Sequence, residues 1–194
     1  MGKGEETKAT IVDEALELVS TVGLEKLTIG ALASATGMSK SGLFAHFRSK
    51  EQLQLQVLEA ARQRFVDIVI APALKKPRGV ARIRAMFESS MEQWEKDLPG
   101  GCIFYAVSAE LDDQPGPARD FLIAIQRDYA ETLKRAAAIA VEEGELRSDL
   151  DLDQFVFEMG SITAAYHHFG RLLRDPKAEK QARKAFDALL ARSH

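Results

Sequence analysis

Between Thr28 and Leu53 the chain crowds three helix-start signals and one helix stop into a single stretch, TIGALASATGMSKSGLFAHFRSKEQL. Thr28 stands where an N-cap belongs, its hydroxyl able to accept from an orphan backbone N–H one turn on, and Ile29, Leu32 and Ala33 recur at helical spacing after it. This helix is expected to stop near Thr36, because Gly37 tolerates the left-handed backbone of a helix end. Ser39 caps a second helix in which Leu43 and Phe47, four apart, form the inward stripe. Ser49, with Gln52 three residues on, opens a third by capping-box spacing. Two short helices joined by a tight turn, followed by the start of a third, are the outline of a DNA-reading helix-turn-helix. In that outline Lys40, Ser41 and Gly42, at the exposed N-terminus of the second helix, face base edges. Lys50 opposes the dipole of its own helix and fits better against a phosphate.

In residue type and spacing, Thr28, Ala31-Leu32-Ala33, Gly37, Ser39, Gly42, Phe44, His46-Phe47, Lys50 and Leu53 resemble the DNA-binding domain of the TetR family of bacterial transcriptional repressors. The resemblance implies an all-α chain of nine helices. Residues 1–48 would form a three-helix DNA-binding domain, and residues 49–194, beginning with a linking helix over about 49–70, a six-helix effector-binding and dimerisation domain. It also implies Lys26, Thr28, Ser39, Lys40, Ser41, Gly42, Phe44, His46 and Lys50 as the DNA-facing set. One position departs from the family: residue 44 is Phe where members commonly carry a Tyr whose hydroxyl reaches a phosphate. Phe44 can pack but cannot donate. His46 reads equally well as a packing or capping residue.

A formal net charge of −3 would argue against a nucleic-acid partner if charge were spread evenly. Binding, however, depends on local patches, and from Lys26 to Lys50 every charged residue is basic: Lys26, Lys40, Arg48 and Lys50. The single cysteine, Cys102, excludes an intrachain disulfide and a Cys-rich metal site, as expected of a cytoplasmic protein. No apolar run reaches membrane-spanning length and no signal-peptide core opens the chain. Met1 to Glu6 reads as a loose polar arm.

The remaining helices follow from periodicity and breakers. The first runs from about Thr7 to Val22, and the linking helix carries Leu53, Val57, Ala60, Ala61 and Phe65 to a stop before Pro72. Pro77 is expected to open the next, with Val80, Ile83, Phe87, Ser90, Met91 and Trp94 inward, until Leu98-Pro99-Gly100-Gly101 breaks it. A short helix then runs from Cys102 to Leu111, and a long one from the Pro115–Pro117 breaker to Gly144. Asp151 with Gln154 caps a helix reaching Arg174, and Asp175-Pro176 starts the last.

The apolar body residues Phe87, Met91, Trp94, Tyr105, Phe121, Tyr129 and Tyr166 line either a ligand pocket or simply the core, and members of the resembled family bind a small effector there. Few charges fall on the inward stripes, so an apolar or aromatic effector is expected. Cys102, opening a helix after two glycines, is either an inert core thiol or a reactive one. Gly160 and Ala164, small and four apart, with His167, Phe186 and Leu189, are expected where the last two helices meet those of a second copy. His167 and His168 point about 100° apart on a helix and cannot share a metal, so no metal or cofactor is expected. No enzyme signature stands out. The alternatives are a thiol-sensing repressor using Cys102, and a helical interaction protein or enzyme without DNA binding.

Overall fold

A computed structural model of the chain describes residues 3–194, the side chain of Lys3 excepted, and all of its regular structure is helical. The helices are α1 (Lys3–Val22), α2 (Ile29–Thr36), α3 (Lys40–His46), α4 (Lys50–Phe65), α5 (Val80–Ser89), α6 (Ile103–Leu111), α7 (Pro117–Glu142), α8 (Leu152–His167) and α9 (Ala178–Ser193). Three of them continue without interruption through a wider π-helical stretch: α4 through Val66–Ile70, α5 through Ser90–Trp94 and α8 through His168–Leu172. The chain forms two compact units, Met1–Arg64 with Asp97–Ile125, and Phe65–Lys96 with Gln126–His194.

In the first unit Ile11, Ala15, Leu16 and Val19 of α1 close over Leu32, Leu43, Phe47, Leu53 and Val57, all buried. Four elements thus share one core, which fixes the angle between α2 and α3 through packing as well as through the turn. In the second unit the core is built from Ile83, Met86, Phe87 and Met91 with Phe155, Met159, Phe186, Leu189 and Leu190. Phe87 and Phe186 stack with centroids 3.9 Å apart.

Four expected boundaries move. Lys3–Glu6 are helical, with Glu5 and Glu6 in the first turn of α1, where carboxylates favour the helix dipole; Met1 and Gly2 lie outside the described residues. The α4 helix does not stop before Pro72 but continues to Leu74, because the π-helical turns ahead of it reset the hydrogen-bond register and accommodate the missing N–H. The α5 helix starts at Val80 and not at Pro77: Gly79 has φ 87°, and the Glu145 carboxylate accepts from Val80 N–H at 2.6 Å. The last helix starts at Ala178, since Asp175 turns its side chain onto Lys177 N–H at 2.8 Å, making a turn where a cap was expected.

Candidate nucleic-acid interface and effector site

The reading elements are capped as their residue types dictate. Thr28 is extended (φ −122°, ψ 157°) and its Oγ1 accepts from Ala31 N–H at 3.0 Å. Gly37 takes φ 68°, a left-handed conformation that strains other residues. Ser39 Oγ accepts from Gly42 N–H at 3.1 Å and lies 3.1 Å from Ser41 Oγ. A Cβ on residue 42 would come 3.2 Å from Ser39 Oγ, so the glycine makes room for the cap.

With Leu43 and Phe47 held inside, α3 turns Lys40, Ser41, Phe44 and Ala45 outward. Phe44 is 57% exposed. Lys26, Thr28 and Ser39 are exposed as well. His46 is half-buried beside Phe47, ring centroids 6.3 Å apart, which favours its packing role. Lys50 Nζ donates to the Glu25 carbonyl at 2.6 Å and reaches Glu25 Oε1 at 3.1 Å. The capping box at Ser49 is shifted by one: Gln52 N–H donates to Ser49 Oγ, while Gln52 Oε1 accepts from Arg48 N–H instead of from the cap itself.

The expected effector residues divide between the two units. In the first, Cys102 is buried, while Tyr105 and Phe121 are half-buried, with the Arg62 guanidinium 5.9 Å from the Phe121 ring centroid. In the second, Phe87, Met91 and Trp94 are buried, and Tyr129 and Tyr166 half-buried. Phe87 is committed to the core by its stack on Phe186. Trp94 and Tyr129 both meet Phe65 edge-on, at 5.2 Å and 5.0 Å. Phe65 was readable only as the end of the Leu53-Val57-Ala61 stripe, yet it is the ring around which this aromatic cluster forms. Burial raises the pKa of the Tyr166 hydroxyl, and the nearby Glu179 and Glu95 carboxylates raise it further.

The interface expectation needs correction at two residues. Phe186 and Leu189 are buried inside their own unit and cannot also form a surface. His167 Nδ1 lies 2.9 Å from Glu95 Oε1, so that ring is engaged within the chain, and Gly160 and Ala164 are half-buried. The outward stripe of α8 and its extension is instead Phe157, Ser161, Ala165, Phe169 and Leu172, with Phe157 69% and Leu172 71% exposed. Between α8 and α9 lies a shallow cavity of about 290 Å³, walled by Ile162, Ala165, Tyr166, Phe169, Ala182 and Ala185 among others. Four-residue spacing carried this stripe in the sequence, but only the fold shows that it faces outward.

Comparison with known proteins agrees with this geometry. The family described as "Bacterial regulatory proteins, tetR family" matches residues 11–57, and "Tetracyclin repressor-like, C-terminal domain" matches residues 79–186. The HTH-type transcriptional regulator SrpR of Pseudomonas putida is 25% identical over 191 residues, covering 97% of this chain and 87% of its own. The HTH-type transcriptional repressor KstR2 of Mycolicibacterium smegmatis is 26% identical over 152 residues, covering 73% and 70%. A TetR transcriptional regulator from Chloroflexus aurantiacus superposes with a TM-score of 0.87 at 25% identity, covering 98% of this chain and 96% of that one.

Proposed function

The chain belongs to the TetR family of DNA-binding transcriptional regulators, and on that premise we propose that it is a homodimeric repressor of an inverted-repeat operator, released by a small apolar or aromatic effector. The observation that carries the proposal is the α3 surface: a reading helix capped by Ser39 whose outward residues are Lys40, Ser41, Phe44 and Ala45, flanked by the exposed cations Lys26 and Arg48. A duplex is the partner that takes such a surface, with phosphates meeting the cations and base edges meeting the helix.

Two copies are needed because one short helix reads only one half-site, and the α3 helices of a dimer must lie about 34 Å apart to enter successive major grooves. The exposed apolar stripe from Phe157 to Leu172 supports pairing through α8 and α9. In this reading residues 1–48 read DNA, and the remainder holds the effector and the dimer contact. The Phe65-Trp94-Tyr129 cluster is the effector contact, and its aromatic edges favour an apolar or aromatic guest. The protein acts in the cytoplasm by binding, without catalysing a reaction; no helix among the described residues is long and apolar enough to cross a membrane.

The test is a mobility titration of the purified chain against the DNA flanking its own gene. Retardation of a fragment carrying an inverted repeat, weakening steeply with salt and reversed by an aromatic compound, is the expected result. Binding to no such fragment at any salt concentration would sink the proposal.

A further inference from the structure

The turn that delivers the chain into the reading helices is held by a residue far away in sequence. Leu24 N–H donates to Glu110 Oε2 at 2.7 Å, and Glu25 N–H donates to the same oxygen at 3.1 Å. The two carbonyls of this turn are taken by α4: Gln54 Nε2 donates to Leu24 O at 3.0 Å and Lys50 Nζ to Glu25 O at 2.6 Å. Gly23, at φ 88°, lies so close that a Cβ there would stand 1.6 Å from Glu110 Oε1. One turn earlier Gly100 N–H donates to Ser20 Oγ at 3.0 Å, and a Cβ on Gly100 would stand 1.6 Å from Ser20 O. The end of α1 and the turn after it are therefore gripped by the loop before α6 and by α6 itself, all within the first unit. Immediately beyond the grip come the exposed Lys26, the buried anchor Leu27 and Thr28, the cap of α2.

We propose that Glu110 is a positioning residue for DNA binding: by fixing Leu24 and Glu25 it sets where Lys26, Thr28 and Lys50 meet the phosphates. The inference rests on the DNA-reading function and adds a residue that touches no DNA. Two backbone donors on one carboxylate oxygen define a direction, because moving α6 along its axis carries Glu110 and drags both amides with it. A shift of α6 would thus re-aim the phosphate contacts without disturbing the core under α2 and α3.

Charge makes the test discriminating. Glu110 is anionic, so its removal from a DNA-binding chain relieves repulsion with phosphate; if it were a bystander, Glu110→Ala would bind DNA as well as the wild type or better. A positioning role predicts the reverse. The probe is a duplex enriched from a random pool by the wild-type chain, with affinity measured across salt concentrations alongside thermal melting. We expect Glu110→Ala to bind about tenfold more weakly, with a salt slope smaller by about one to two phosphate contacts and an unchanged base preference. Glu110→Gln, which keeps an acceptor oxygen, should recover most of the affinity. Glu110→Asp keeps the charge but falls short in reach, so it should weaken binding as well. Gly23→Ala evicts the carboxylate as well and also strains the φ 88° backbone, so it should bind DNA at least as weakly as Glu110→Ala. Equal or tighter binding by both Glu110→Ala and Glu110→Asp, with the wild-type slope, overturns the positioning role while leaving the DNA-reading function intact. A wild-type chain that enriches no duplex overturns both.

Discussion

Lys50 Nζ sits 2.6 Å from the Glu25 carbonyl and 3.1 Å from its carboxylate, so a cation that the sequence places against phosphate is held by an acid one residue outside the basic stretch. Both side chains are well exposed, at 40% and 68%, and an ion pair so open to water is worth about 1 kcal/mol or less. A phosphate can therefore take the lysine over. Lys50→Ala should weaken binding to all duplexes alike and reduce the salt slope by about one, whereas Glu25→Gln should strengthen binding at low salt. Salt titrations of the two variants check this, and an unchanged slope in Lys50→Ala would remove Lys50 from the phosphate contacts.

Phe44 offers a gain-of-function test. It is 57% exposed on α3, so a hydroxyl added at the ring edge meets water in the free chain and costs almost nothing. Phe44→Tyr restores the donor that the family commonly has, and one hydrogen bond to a charged phosphate should add about 1.5 kcal/mol, or roughly tenfold in affinity. Stability should not change. If affinity is unmoved, the residue 44 side chain points away from the backbone of the bound duplex.

The helix-turn-helix was legible because its determinants are local. Thr28 and Ser39 each accept from a backbone N–H three residues on, and Gly37 takes the left-handed φ of a helix end. The body is otherwise. Phe186 and Phe157 both sit on helical apolar stripes, and nothing local separates the ring stacked on Phe87 from the one in solvent. That difference is set by which helix packs on which face, a long-range fact that periodicity does not carry. Glu110 was likewise unreadable, since its partners Leu24 and Glu25 are backbone donors.

The same contrast yields a paired prediction about the dimer. Phe186→Ala empties a site between Phe87 and the Arg84 guanidinium, which lies 5.4 Å from the Phe186 centroid, and should cost about 3–5 kcal/mol of stability. Ala165→Glu, on the exposed wall of the α8–α9 cavity, should leave the protomer's own fold intact but abolish self-association, lowering the melting temperature only by the stabilisation that pairing supplied. Sedimentation at micromolar concentration separates the two effects. A wild-type monomer, or an Ala165→Glu dimer, would take the interface off this face.

Effector binding can be followed without any label, because Trp94 is the chain's one tryptophan and its ring stands nearly perpendicular to Phe65 with centroids 5.2 Å apart. A guest entering the Phe65-Trp94-Tyr129 cluster must displace or stack on that indole and change its emission, while a ligand bound elsewhere leaves it dark to titration. The compound that releases DNA should therefore quench or shift Trp94 fluorescence over the same concentration range. Tyr129→Ala should weaken both effects together, since edge-to-face contacts of this kind contribute about 0.5–1.5 kcal/mol each beyond area burial. Cys102, 5% exposed, is a poor target for a bulky electrophile, and Cys102→Ser should respond to the natural inducer as the wild type does. Loss of induction in Cys102→Ser, with Trp94 emission still reporting the ligand, would transfer the trigger from the aromatic cluster to the thiol.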